Sequence, residues 1–256
     1  ISVIIRHMIK RKTYTYRRGE IIDIEEYHDG NYGAKGIKRQ KKKKATPEDI
    51  ERVNQYNKMK RCRARLLEYF RPGDLLITWT YRPENRPPDM KTAQKHFRKA
   101  IRKVRGEYRK RSYEPFWIRN IERGTRGAWH IHIVINEIGE TASIVEKAWD
   151  YGGTWTQAIK KSPLYDEDFT LLASYMTKSE KTVEKRKDGT KAKSKIRESS
   201  YWTSKNMPLP EPKPDKLIRW KKEVKPKKGY YIVRSHEGIN PVTGFSYRRY
   251  TMARLE

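Results

Sequence analysis

Hydrophobic residues fall along this chain in patterns that change period several times. Residues 13–27 alternate around Arg18-Gly19, with Thr13-Tyr14-Thr15-Tyr16 before it and Ile21-Ile22-Asp23-Ile24 after it, which predicts a hairpin. A helix is predicted from Thr46 to about Phe70. Thr46 suits the N-cap, Pro47 the first turn, and Glu48 and Asp49 the positive end, and Arg71-Pro72-Gly73 stops it. Leu75, Leu76, Ile77 and Trp79 predict a buried strand over Asp74 to Tyr81. Ala93, Phe97, Ile101, Val104 and Tyr108 then recur at spacings of four, four, three and four, one apolar stripe on a long basic helix. Two strands follow, Phe116–Glu122 and Ala128–Asn136, then a helix near Glu140–Trp149, a strand near Thr154–Ile159 and a helix near Glu167–Thr182.

The resulting order, β-α-β-β-α-β-α, with strands adjoining in hairpins and helices between them, predicts an α+β fold. Its centre is an antiparallel sheet with helices on one face. Three regions are expected: an N-terminal hairpin and basic linker over 1–45, a core over 46–182 that includes the basic helix, and a basic extension over 183–256. Within that extension, residues 183–228 are Lys-, Pro- and Ser-rich and read mostly as loop, and Gly229 to Leu255 reads as a terminal hairpin.

Charge narrows the partners. Lys and Arg number 60 against 31 Asp and Glu, a formal net charge of +29 spread through helices and loops. So large a positive field calls for a polyanion, and nucleic acid leads. No apolar run approaches the roughly 20 residues of a membrane span. Ile1 to Ile5 is too short and too quickly basic for a signal peptide. Cys62 is the single cysteine, so neither an internal disulfide nor a cysteine zinc cluster is available, in keeping with a reducing cytosol.

The candidate chemistry sits in three short places. In Trp129-His130-Ile131-His132-Ile133-Val134-Ile135, alternation on a strand points His130 and His132 one way and Trp129, Ile131, Ile133 and Ile135 the other, toward the helices. Two imidazoles side by side can chelate one metal, although such a pair also fits the solvated face of a half-buried sheet. Glu122 ends the preceding strand, and pairing with His130 would put its carboxylate on the histidine face. Two imidazoles and a carboxylate with open positions suit Mg²⁺ or Mn²⁺ held against a phosphate. In Ala173-Ser174-Tyr175-Met176-Thr177-Lys178, the core stripe is Phe169, Leu172, Ala173 and Met176. Tyr175 lies at its border, and Lys178 comes one turn later on the exposed side.

Taken in order, Leu75 to Tyr81, His130-Ile131-His132 and Tyr175-Met176-Thr177-Lys178 resemble the three motifs of the HUH-superfamily nucleases, specifically the rolling-circle replication initiators. The resemblance covers residues 74–182. More weakly, Tyr201 to Asn206 is similar to the tail of filamentous-phage and small-plasmid initiators. The resemblance implies a ferredoxin-like nuclease fold and a divalent metal at His130, His132 and Glu122. It implies Tyr175 as nucleophile, with Lys178 assisting, in nicking and rejoining single-stranded or hairpin origin DNA through a 5′-phosphotyrosine link. Histidines preceding the tyrosine depart from conjugative relaxases. Lys178 stands where some phage-type initiators carry a second tyrosine. No Gly-x-x-x-x-Gly-Lys-Ser/Thr loop occurs, so a helicase partner is implied, and a prokaryotic cytosol is the expected setting. A single-tyrosine transposase is the nearest rival, disfavoured by Ser179 where a third ligand would be expected. A non-catalytic nucleic-acid-binding protein is the other.

Overall fold

The computed structural model describes residues 9–28, 46–124, 128–178, 200–217, 220–239 and 246–255. In chain order the elements are β1 (Ile9–Tyr16), β2 (Ile21–His28), α1 (Pro47–Tyr69), β3 (Leu75–Thr80), α2 (Met90–Lys110), β4 (Trp117–Arg123), β5 (Trp129–Ile135), α3 (Thr141–Ala148), β6 (Thr154–Ala158), α4 (Thr170–Met176), β7 (Tyr201–Thr203), β8 (Lys213–Leu217), β9 (Tyr230–Ile239) and β10 (Ser246–Arg254). They form an α+β fold with two five-stranded antiparallel sheets, β8-β1-β2-β10-β9 and β6-β3-β5-β4-β7. The chain divides into two compact units, one of residues 1–52 and 209–256, the other of residues 53–208. The basic tracts Lys41–Lys44 and 179–199 lie outside the described residues.

In the 53–208 unit the order β-α-β-β-α-β-α is found as the periodicity predicted. The α2 stripe of Ala93, Phe97, Ile101, Val104 and Tyr108 is buried throughout. It packs, with Ile144, Val145 and Ala148 of α3, on Trp79, Ile121, Trp129, Ile131, Ile133 and Ile135, so α2 and α3 roof one face of the sheet. Asp89 caps α2 by accepting from Thr92 N–H at 2.7 Å. Tyr108, near the other end, donates to the Asn136 carbonyl at 2.6 Å, which ties the helix to the end of β5.

Opposite faces of β3 have different fates. Trp79 stacks on Trp149 with centroids 4.7 Å apart, and the Trp149 indole donates to the Thr80 carbonyl at 2.8 Å. Leu76, Ile118 and Val134, on the other face, are buried as well. Beyond the roof of α2 and α3, α4 lies against that second face through β4. The 183–228 region, read from composition as loop, supplies two short strands in its described part, β7 and β8. Their few apolar residues hide them, and pairing with β4 and β1 makes them strands.

The 1–52 and 209–256 unit joins the N-terminal hairpin to the C-terminal one. Tyr247–Ala253 of β10 pair with Ile21–Tyr27 of β2. Arg11, Glu26 and Arg248 stand in one cross-strand row. The Glu26 carboxylate is 1% exposed, and both arginines grip it at 2.6 Å. Burial alone would raise the Glu26 carboxyl, but hydrogen bonds and charge from Arg248 and Arg11 hold it below the ordinary carboxylate range. Thr46 begins α1 as expected: its hydroxyl accepts from Asp49 N–H at 3.1 Å and Asp49 accepts from Thr46 N–H at 3.2 Å.

Two glycines of the 53–208 unit make opposite predictions. A Cβ at Gly152 would stand 2.1 Å from the Thr80 carbonyl oxygen, a contact between backbones that no side-chain movement relieves. A Cβ at Gly106, within α2, meets nothing within 4 Å. Gly152→Ala is therefore expected to destabilise the protein by about 1–3 kcal/mol, as overpacking does, and Gly106→Ala to stabilise it by roughly 0.5–1 kcal/mol. Urea-denaturation midpoints check both, and an unchanged midpoint for Gly152→Ala would contradict the close approach at β3.

Candidate active site

The site is built on three neighbouring strands. β5 is central, with β3 on one side and β4 on the other. Register places Thr78, His132 and Asn120 in one cross-strand row and Thr80, His130 and Glu122 in the next. Directly opposed residues project to the same face. The pairing of Glu122 with His130 that the sequence raised as a condition is present, and both histidines lie opposite the α2–α3 roof.

His130 and His132 stack nearly parallel, with ring centroids 6.3 Å apart. Glu122 Oε2 is 3.6 Å from His132 Nε2, and the two side chains are 17% and 13% exposed. Burial, with the neighbouring His132, lowers the His130 pKa against a smaller opposing pull from Glu122, which favours an uncharged imidazole with a free lone pair. Among the described residues no three His, Cys, Asp or Glu side chains are gathered closely enough to hold an ion as they stand. Donor type and shared face nonetheless fit a divalent cation: two imidazoles and one carboxylate at a partly open surface.

Tyr175 reaches this face from α4. Its hydroxyl is 3.0 Å from His132 Nε2, and the two rings meet edge to face at 5.2 Å. Burial, and then the negative charge of Glu122, push the phenol up to about 12, so it is protonated at neutral pH. A protonated phenol donates, so Nε2 of His132 accepts. The neutral ring then carries its hydrogen on Nδ1, facing Thr78 Oγ1 at 3.1 Å. Thr78 thereby fixes both the tautomer and the tilt of the ring that meets Tyr175.

Several contacts aim α4. Its start is held by Phe169, buried and in the left-handed region at φ 56°. That conformation costs a non-glycine residue about 1 kcal/mol or more. Offsetting it, Asp168 accepts from the Thr170 hydroxyl at 2.8 Å and Arg63 at 3.3 Å. At the other end Asn120 Nδ2 donates to the carbonyls of Lys178 at 3.2 Å and Tyr175 at 3.5 Å, and Gln55 donates to that of Thr177 at 3.0 Å. The predicted stripe of Phe169, Leu172, Ala173 and Met176 is buried. The helix is shorter than the periodicity suggested, ending at Met176. Lys178 therefore stands past its end, not one turn further along it. Its Nζ lies 5.3 Å from the Tyr175 ring centre, so the pair still meet.

The structure thus brings Glu122, His130, His132, Tyr175 and Lys178 together. Sequence reasoning missed Thr78 and Asn120. Both lie in stretches read only as strand, and their one available signal was even numbering in register with the histidines, which fixes a face but not a partner.

With this geometry in hand, residues 74–180 match the family model of the replication-associated proteins of the ORF2 type, a stretch shorter than half of the chain. Comparison with curated proteins and with solved structures gave no match. The matched stretch runs from the start of β3 past Lys178 and contains all five candidate residues, and it supports a replication initiator of the Rep type. A replication-associated protein implies DNA as partner, in keeping with the net charge of +29. Among the described residues no helix is long and apolar enough to cross a membrane.

Asn120→Ala tests how the tyrosine helix is held. Two buried carbonyls lose their donor, so a destabilisation of about 1–3 kcal/mol is expected, with faster amide exchange confined to α4. Exchange unchanged at Ala173 to Lys178 would show that Asn120 does not anchor the helix.

Proposed function

We propose that this chain is a site-specific single-strand DNA endonuclease and ligase that nicks a replication origin through a covalent 5′-phosphotyrosine intermediate and so starts rolling-circle replication. The observation that carries this reading is the Tyr175 hydroxyl standing 3.0 Å from His132, on the sheet face that also bears His130 and Glu122.

In this reading the Tyr175 oxygen attacks the scissile phosphorus, the bond to the 3′-oxygen breaks, and the departing oxygen takes up a proton to become a free 3′-hydroxyl. The phosphodiester energy is kept in the tyrosine ester, so a later 3′-hydroxyl can reverse the step and seal the strand without ATP. His130, His132 and Glu122 would hold Mg²⁺ or Mn²⁺, which when bound offsets charge developing on the phosphate oxygens. The single lone pair on His132 Nε2 serves either the phenol or an ion, so the Tyr175 hydroxyl parts from His132 when the site is loaded. Lys178, beside the Tyr175 ring, adds positive charge where phosphate charge builds. Basic residues hold the backbone. Unwinding is left to a separate helicase, and origin hairpins and single strands are the substrates.

Tyr175→Phe is the deciding variant. It is expected to abolish both cleavage and the covalent protein–DNA adduct while single-strand affinity stays within about 3-fold, as read by denaturing gels and fluorescence anisotropy. Retained nicking would transfer the role to another residue, with Tyr165 the first to test.

Mn²⁺ calorimetry checks the metal assignment. His130→Ala, His132→Ala and Glu122→Ala should each weaken binding by roughly 10- to 100-fold, the range for loss of a metal-site group. Tyr175→Phe, which removes the competitor for His132, should bind Mn²⁺ at least as tightly as the wild type. Unchanged affinity in Glu122→Ala would remove that residue from the site.

A further inference from the structure

The edge strand β6 carries a tryptophan that the mechanism above does not use. Trp155 is 52% exposed, an unusual state for the largest apolar side chain. Its position is fixed by register: it pairs with Thr78, which in turn pairs with His132. The row across the sheet therefore reads Trp155, Thr78, His132, Asn120, all on one face. Two inter-strand steps separate Trp155 from His132, roughly 10 Å. That spans from a phosphate at the histidines to a neighbouring nucleotide.

The surroundings select the ligand. Along β6 the next residue on the same face is Gln157, paired with Leu76, and the row neighbour of Trp155 is Thr78. An exposed indole flanked by threonine and glutamine is not the contiguous apolar patch that a protein partner buries. It offers one flat aromatic surface beside a polar, strongly basic molecule, which is what an unpaired base needs. Trp202 supplies an internal contrast. It is 51% exposed on β7, at the opposite edge of the same sheet, but it pairs with Arg119, whose side chain lies over Phe97 of α2. It belongs to the face turned away from the histidines.

We propose that Trp155 is the stacking platform for an unpaired base of the DNA strand next to the phosphate held at the histidine face. The inference rests on reading that face as the strand-cleaving site. Stacking there would draw the strand across β3 toward Tyr175, and it would favour unpaired DNA over duplex, whose bases already stack on one another. Every base has a π-face, so the contact contributes affinity without reading sequence.

The test is equilibrium binding of a fluorescein-labelled dT 20-mer by anisotropy, without divalent ions, in the Tyr175→Phe background. Chemistry is thereby kept out of the measurement. Trp155→Ala is expected to weaken binding by roughly 5- to 100-fold, the range for losing one base stack. Trp155→Phe should retain most of the affinity, and Trp202→Ala should stay within about 2-fold. An abasic oligomer with the same number of phosphates separates stacking from backbone contact, and Trp155→Ala should bind it as the parent does. Unchanged dT affinity in Trp155→Ala, an equal loss on the abasic oligomer, or an equal loss in Trp202→Ala would each overturn the proposal. Urea midpoints of the variants establish that they fold. Nicking is measured separately with Tyr175 intact. A protein that stacks a base on Trp155 but never cuts would sink the proposed function and leave this contact standing.

Discussion

The register of β5 is the constraint on which the rest of the site depends. Side chains on a strand alternate with period two, so a slip of one residue exchanges the faces completely. In the observed pairing Trp129, Ile131, Ile133 and Ile135 are buried under α2 and α3 while His130 and His132 emerge on the other side. Slipping by one would bury two imidazoles and expose a tryptophan and three isoleucines. Burying an aliphatic or aromatic side chain of this size is worth about 1.5–3 kcal/mol, so four of them hold the register firmly. The hydrophobic core thus determines where the histidines stand, and through cross-strand pairing it also places Glu122, Thr78 and Asn120.

Tyr175 is positioned by a different kind of force. α4 is only 7 residues long, too short to be stable by itself, and it is held at both ends by hydrogen bonds from other elements. Asn120 is the link between the two devices, because one residue both pairs with His132 and donates to the carbonyls at the end of α4. The hydroxyl that results is partly desolvated, faces a carboxylate and is kept protonated. Such a group is inert until its environment changes, which suits a nucleophile that must wait for a strand.

The other unit shows the same economy in cross-strand rows. Arg11, Glu26 and Arg248 come from the two ends of the chain, and their charges are stable in a buried setting because each guanidinium is paired with the one carboxylate between them. Removing the carboxylate alone would leave two cations facing each other in a low-dielectric site, which is far costlier than replacing the whole group. This row fastens the C-terminal hairpin to the N-terminal one through β10 and β2.

Local pattern was enough to place the elements around the site. The α2 stripe, the alternation in β5 and the core side of α4 are periodic signals, and period is a property of consecutive residues. The cap of α1 by Thr46 was legible for the same reason. The face of Glu122 was legible only as a condition on register, and no run of consecutive residues states a register. The ends of α4 were misjudged because tertiary hydrogen bonds, not propensity, determine where that helix stops. β7 and β8 were invisible because their strand character comes from partners far away in sequence. The roles of Thr78 and Asn120, the meeting of Tyr175 with His132 and the joining of the terminal hairpins are contacts between residues 43 to more than 200 positions apart. The order of residues by itself determined which chemistry was available and on which face each strand would show it. Only the tertiary structure, through strand pairing and helix anchoring, decided which of those groups would touch.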